Sequence, residues 1–599
     1  MVSWYTTCVL IKVFKNQKLI KMRKLIINSK IKLSVALLTI ASLTASCSDF
    51  LDTPPEDVFT DNNFWTSENN VKTFSWLNYN TFNGYGNNAG VTADFYFHAS
   101  ATGLIDDNLA MNVFTNFLTA PNATNSNWNE YYTLIRRCNL MLERVPNVPM
   151  DQTKKNHYIG VAKFFRAHTY FRLAQQFGNV PYTDQYLAQS DANVYKPALS
   201  RAEVIDNVIK DLEEAIPLLL NVDDSNVTVN KYTAYALLSR VCLGEGTYRK
   251  YNLAQNGNAY LQKAKDASLA VMNNNAYKLN TDWKSLYNSV ELLGNTEVIL
   301  TKRYIKGVLG NGIQAYTNTS TVQNGLTKFA AESYVTTNGL PIKQTGNAQY
   351  LGDNTIANTF ANRDPRFAKA FSTADYAYSD KPYNGLTSIT GYVFQLYNNP
   401  ATTGTEVTTI GQNQIDAPVF TLSEVYLNYA EACAELGTIT TADLNLSLNK
   451  VRTRAGIATL TTDGATASAN GVLIDDPQRT TALEQISGIV NPIIWEIRRE
   501  RRIEFMAWTT MRKEDLIRWK KGDYLDTNSN PDVILGARIM ALIGTNSKTK
   551  VNAQGYVIPY AAGVSRLFIS PKNYLSAIPT NDINLYAAEG VELKQNPGW

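Results

Sequence analysis

The side chains of this 599-residue chain that come nearest to a reactive constellation are three histidines, His98, His157 and His168, and two adjacent carboxylate pairs, Asp106-Asp107 and Asp223-Asp224. Cleaving a glycosidic bond needs two carboxyl groups set about 5–9.5 Å apart across the sugar, a spacing that a sequence cannot measure. Adjacent aspartates more commonly sit in solvated turns or hold calcium, and a solvated turn is the expectation for both pairs. His168 shares an apolar helical face with Val161, Phe164, Phe165 and Phe171 and reads as a core residue, while His98 and His157 stand alone. The chain has no Gly-x-Ser-x-Gly elbow, His-Glu-x-x-His helix or Gly-Lys-Ser/Thr phosphate loop. The expectation is therefore no catalytic residue, no metal and no cofactor.

Arg501 is the other chemically pointed residue. It interrupts the stripe Ile494, Ile497, Phe505, Trp508, which has helical spacing and is otherwise apolar. A buried guanidinium needs a carboxylate, and Glu424 or Glu431 on a second helical segment is the expected partner, making Arg501 structural.

Helical periodicity positions these groups. It predicts helices over Trp128–Val145, around Val161–Gln175 up to Gly178 and Pro181, and over Arg201–Leu220, where Ser200 and Glu203 have capping-box spacing. Further helices are predicted over Lys231–Leu243, Ala259–Met272, Ser423–Leu436, Ala442–Arg454, Ile493–Trp508 and Lys513–Lys520. Small residues at the helix crossings suggest paired helices of the tetratricopeptide type. Residues 280–415 have a different texture, rich in Gly, Asn, Thr and Tyr, with strand-like runs Glu297–Thr301 and Tyr392–Tyr397; residues 79–127 share it. Long irregular segments on a helical scaffold are where binding sites tend to lie.

The N-terminal region reads as an export signal. Arg23-Lys24 and Lys30 precede the apolar run from Leu33 to Ala41, and Thr44-Ala45-Ser46 lead to Cys47. Translation is expected to start at Met22, and cleavage before Cys47 would leave a diacylglycerol-modified N-terminal cysteine. Acyl chains contribute roughly 0.8 kcal/mol per buried methylene, enough for a firm anchor. A strict lipobox has Leu three residues before the cysteine, where this chain has Thr44, with Leu43 one place further back. Asp49 to Pro55 reads as a polar tether. Domain boundaries follow: 1–46 signal, 47–55 tether, and a body of 56–599 divided into 56–279 helical, 280–415 irregular and 416–599 helical.

Without residues 1–46 the chain has 48 Lys/Arg against 52 Asp/Glu, a net charge of about −4, which argues against a nucleic-acid partner. Cys138, Cys242 and Cys433 lie in separate helical patterns and read as packing residues. The 34 tyrosines, with abundant Asn and Thr, could offer flat rings and amides to a neutral polar ligand such as a sugar, or could equally keep long loops soluble.

Several stretches resemble the SusD/RagB family of outer-membrane nutrient-binding lipoproteins. They include Ala162-Lys163-Phe164-Phe165-Arg166-Ala167-His168, Asp211-Leu212-Glu213-Glu214-Ala215, Arg363-Asp364-Pro365-Arg366, Glu424–Ala432, Asn449–Gly456, Glu500–Phe505, Asp515–Trp519 and Gln595–Trp599, in the family's order. The resemblance runs from Cys47 to Trp599. It implies a mainly α fold of tetratricopeptide-like helix pairs with a large irregular, loop-rich region containing short strands. It also implies capture of an extracellular nutrient, most often an oligosaccharide, for a SusC-like TonB-dependent transporter, with a lipid anchor in the outer membrane and the body facing the exterior.

These motifs are scaffold motifs and do not identify the ligand. A sugar site in this setting would use loop aromatics, and the expected contacts are Tyr85, Tyr96, Phe114, Tyr304 and Tyr316, with Asn112 as a polar neighbour. Two other readings remain open at this level: a helical-repeat surface lipoprotein for protein–protein interaction or adhesion, and a glycan-cleaving enzyme.

Overall fold

The computed structural model describes residues 64–86, 93–95, 105–110, 120–188, 191–221, 226–317, 324–506, 508–560 and 564–599. Cys47 with its signal, Tyr96, His98, Asn112, Phe114 and Asp223-Asp224 lie outside the described residues.

Helix starts follow from side chains that accept the first orphan N–H groups. Ser67 caps α1 (Glu68–Trp76), Asn125 caps α2 (Ser126–Arg144) and Asp151 caps α3 (Gln152–Phe177). Ser200 and Glu203 form the expected capping box on α4 (Arg201–Ala215), and Asn230 with Thr233 forms another on α5 (Lys231–Asn252). Gly178, at φ 72°, ends α3 in a conformation that other residues rarely adopt. The predicted helix over Ala442–Arg454 is broken instead at Ser447, between Thr441–Leu446 and Leu448–Ala455. Of the strand-like runs, Tyr392–Tyr397 contributes only a single bridge, Phe394 to Phe371.

Sequential helices pack on one another: α2 on α3, α3 on α4, α4 on α5, and α5 on α6 (Asn258–Met272). The α5–α6 contact is so close that a Cβ at Gly257 would sit 2.1 Å from the Gly246 carbonyl oxygen. Helix α6 then packs on α7 (Leu422–Glu435), skipping about 150 residues of sequence. The skip is possible because the intervening chain leaves on β2 (Val298–Lys302) and returns antiparallel beside it on β4 (Ala417–Thr421). A second short pair joins β1 (Asn108–Ala110) to β3 (Asn324–Leu326).

Every residue of α7 is buried, and it lies between two hydrophobic cores. Leu422, Val425 and Tyr426 belong to one core with Phe164, Phe165 and Leu237; Leu427, Tyr429 and Cys433 belong to the other with Ile497, Phe367 and Tyr397. Its three glutamates avoid the cost of buried charge by pairing. Glu424 takes Arg240 at 2.6 and 2.7 Å, Glu431 takes Arg518 at 2.6 and 2.7 Å, and Glu435 takes Lys250 at 2.7 Å. Ser67–Trp599 clusters as one unit around these cores.

The helices after α7 are α8 (Leu448–Ala455), α9 (Pro492–Glu504) and α10 (Thr509–Arg518). Seven ionisable side chains of α9 are buried. Glu500 accepts from Arg366 at 2.7 Å and Arg452 at 3.0 Å, and Glu504 accepts from Arg366 at 2.8 Å and from Arg454. Arg366 also binds Asp364 at 2.7 Å, so three of the motifs quoted above meet in one buried ionic cluster. Arg501 is buried and paired too, but not as expected. Its main partner is Asp515 at 2.7 Å, with Asn428 at 2.6 Å and Glu431 only at 3.9 Å, because Glu431 is already taken by Arg518 and Glu424 by Arg240.

Candidate functional site

The β1–β3 pair is where the two Tyr/Asn-rich segments of the sequence meet. Asn108 pairs with Leu326, Leu109 with Gly325 and Ala110 with Asn324.

The carboxylates immediately before β1 hold this corner in place, and the turn expectation for Asp106-Asp107 is corrected by their surroundings. Both are buried. Asp106 accepts from Arg512 at 2.8 and 2.6 Å, and Asp107 from Arg502 at 2.6 Å. Burial pushes the Asp106 carboxyl up, but Arg502 and Arg512 outweigh it and hold it below the usual range. Burial and the neighbouring Asp106 raise Asp107. The backbone is tied as well, since Thr327 donates its N–H to the Asp107 carbonyl at 2.9 Å and its hydroxyl to that of Asp106 at 2.7 Å. No local signal reveals this anchor in the sequence, because Asp106 and Arg512 lie 406 residues apart.

Of the six sequence candidates, Tyr85, Tyr304 and Tyr316 fall among the described residues. Tyr85 and Tyr304 are brought together but in the core, at 0% and 2% exposure, which leaves no ring face for a ligand. Their rings lie 14° from parallel with centroids 6.3 Å apart. The Tyr85 N–H donates to the Tyr304 hydroxyl at 2.9 Å, and the Tyr85 hydroxyl donates to the Tyr287 carbonyl at 2.9 Å. Burial, chiefly, pushes both phenols well above their ordinary range. Asp416 fixes the backbone beneath them, accepting from the N–H of Tyr304 at 2.8 Å and of Leu292 at 3.0 Å, and burial raises its carboxyl to about 6.

Tyr316 differs. It is partly exposed on the short helix Ile313–Thr317, and its ring lies over Gly312. His168 is buried against Phe82 at 5.1 Å, and burial, with Arg172 and Arg240, depresses it well below the usual histidine range. Its Nδ1 makes no hydrogen bond among the described residues. The three helix thiols are buried, and burial pushes Cys138 up to about 12.

The SusD family model matches residues 296–599, and a second, described as starch-binding associating with outer membrane, matches residues 15–243. The chain belongs to the SusD family. A SusD-like protein of Formosa agariphila is 30% identical over 239 residues, which is 37% of this chain and 44% of that relative, so the match spans less than half of the relative's length. Among solved structures, a SusD-like carbohydrate-binding protein of Bacteroides fragilis superimposes with a TM-score of 0.67 at 21% identity, covering 87% of this chain and 99% of the other. A laminarin-binding SusD-like protein gives 0.56 at 20% identity, covering 89% and 100%. These likenesses agree with the helix stack described above, and the expected mainly α, tetratricopeptide-like architecture with an irregular region and short strands holds.

Proposed function

We propose that this SusD family member is a cell-surface lipoprotein that captures an oligosaccharide and delivers it to a SusC-like TonB-dependent transporter, without cleaving it. The observation that carries the reading is the family match over 296–599. The outer-membrane wording of the second family description and the carbohydrate-binding relatives support it. Cys47 is the anchoring residue and tethers the body to the outer face of the outer membrane.

In this reading loop rings hold the ligand: Tyr316 supplies a partly exposed ring, and Tyr96, Asn112 and Phe114 stand in the sequence segments flanking β1. Rings take the C–H faces of pyranoses, and the amide orients hydroxyls. Calorimetric titration against neutral oligosaccharides, with product analysis of the same mixtures, tests the reading. Saturable binding with no new reducing ends is expected; released product, or binding to proteins alone, contradicts it. Mass spectrometry of the native protein should find a lipid-modified cysteine at position 47 as its first residue.

A further inference from the structure

Helix α9, with residues 478–484 and 529–532, lines a cavity of about 320 Å³, within the size range of small-molecule sites. Exposure sorts the lining. Arg499, Arg502, Arg512 and Lys521 stand on a buried wall, Thr481 and Ala482 are exposed at the rim, and the rings of Phe329 and Trp495 are half-buried.

The polar groups of the buried wall are already spent. Arg499 binds Asp476 and Glu496, and Arg512 binds Asp106 at 2.8 and 2.6 Å. Arg502 donates to Asp107 and to the Ser333 hydroxyl, each at 2.6 Å. Lys521 uses all three donors, on Glu484 at 2.6 Å, the Ser487 hydroxyl at 3.1 Å and the Gly488 carbonyl at 2.7 Å. Even the Trp495 N–H is held, by Asp476 at 2.8 Å. The nitrogens that Arg498 and Arg502 leave unpartnered are covered and reach no ligand. A ligand hydroxyl against this wall would lose water with no free partner to replace it, at a cost of about 1–3 kcal/mol, and a ligand charge would cost more. The wall therefore suits an uncharged, hydroxyl-free group, and what it offers such a group is ring surface.

The rim has the opposite character. Gln478, Thr481 and Ser529 carry amide and hydroxyl groups and are exposed or half-buried. We propose that this cavity binds an uncharged aryl glycoside, with the aryl ring inside against Trp495 and Phe329 and the sugar at the rim among Gln478, Thr481 and Ser529. A free sugar carries hydroxyls around its whole ring and suits the wall poorly, whereas an aryl group alone leaves the rim unused. The site uses none of the loop rings of the function proposed above and stands without it.

Calorimetric titration of the full chain with phenyl β-D-glucoside, methyl β-D-glucoside and phenol tests the site. Phenyl glucoside should bind saturably and about tenfold or more tighter than either of the others. Ala482→Trp, which sets a ring across the exposed rim, should keep the parental melting temperature and weaken phenyl glucoside about tenfold, and Trp495→Ala should weaken it roughly fivefold. Equal binding of methyl glucoside or of phenol overturns the assignment, and so does parental affinity in a folded Ala482→Trp. Where that variant does not fold, unchanged affinity in Trp495→Ala overturns it instead. A chain that takes neutral oligosaccharides but not phenyl glucoside loses this site and keeps the function proposed above.

Discussion

Most of helix α3 from Tyr158 onward and nearly all of helix α9 are buried, yet they achieve it with opposite chemistry. Helix α3 buries Phe164, Phe165, Ala167, Tyr170, Phe171 and Leu173, with one buried ion pair, Arg166 to Asp211 at 2.7 Å. Helix α9 buries Glu496, Arg498, Arg499, Glu500, Arg501, Arg502 and Glu504, which reach partners on α7, α8, α10, the 364–366 turn and the β1 corner. Apolar packing is non-directional and tolerates changes of shape, whereas a buried guanidinium needs its acceptor at one place and angle. The N-terminal stack therefore depends mainly on the right volume at each layer. The C-terminal half needs one register, and that register is what holds Asp106, Asp107 and the β1–β3 corner.

The comparison can be broken most forcefully at Arg366. Arg366→Ala strands Asp364 in the interior, leaves Glu500 with Arg452 and Glu504 with Arg454 as their remaining arginines, and should cost about 3–5 kcal/mol in chemical denaturation, or prevent folding. A loss no larger than that of an apolar trim in α3 would mean that the ionic cluster does not set the fold.

Acid should separate the halves next. Burial pushes the Glu431 carboxyl up, but Arg518 and Arg501 outweigh it and hold it at about 2, below its ordinary 4.5. A depressed carboxyl stabilises the fold above its unfolded value, and that contribution, about 3 kcal/mol, is lost as pH falls from 4.5 toward 2. Urea melts should show stability falling through this window in the parent, and falling less steeply in Glu431→Gln, which starts lower at pH 7 because Arg518 keeps only Asp515 and Thr247 as partners. Equal slopes would remove Glu431 from the account.

The smallest effect belongs to α3. Phe164→Leu should cost about 1–2 kcal/mol without changing the pH profile, because neighbouring side chains can partly close the space. A cost matching that of Arg366→Ala would erase the contrast between the two helices.

Much of the scaffold was legible in the sequence. The 3.6-residue pattern located α2 to α7, Ser200 with Glu203 marked a helix start, and an arginine inside an apolar stripe announced a buried pair. The partner of Arg501 was not legible, since Asp515 stands on the next helix and pairing depends on how α7 and α10 flank α9. Tyr85 and Tyr304 were misread because irregular backbone suggested surface. The excursion between β2 and β4 instead packs into a core shared with α7 and α9, where Tyr85 meets Phe95 and Tyr397 edge-on at 4.8 and 5.3 Å. Asp106-Asp107 lacked any periodicity that could signal burial. Nor does the three-residue β1 carry a pattern long enough to announce its pairing with β3.

The function proposed here has loop rings binding a neutral oligosaccharide that is left intact. Calorimetry of the parent and of Phe114→Ala and Tyr316→Ala, with any neutral oligosaccharide the parent binds, is the most direct test. Each variant should keep the parental melting temperature and lose about tenfold in affinity, with the sugar recovered unchanged. Parental affinity in both variants, or shortened sugar in the recovered mixture, would contradict it.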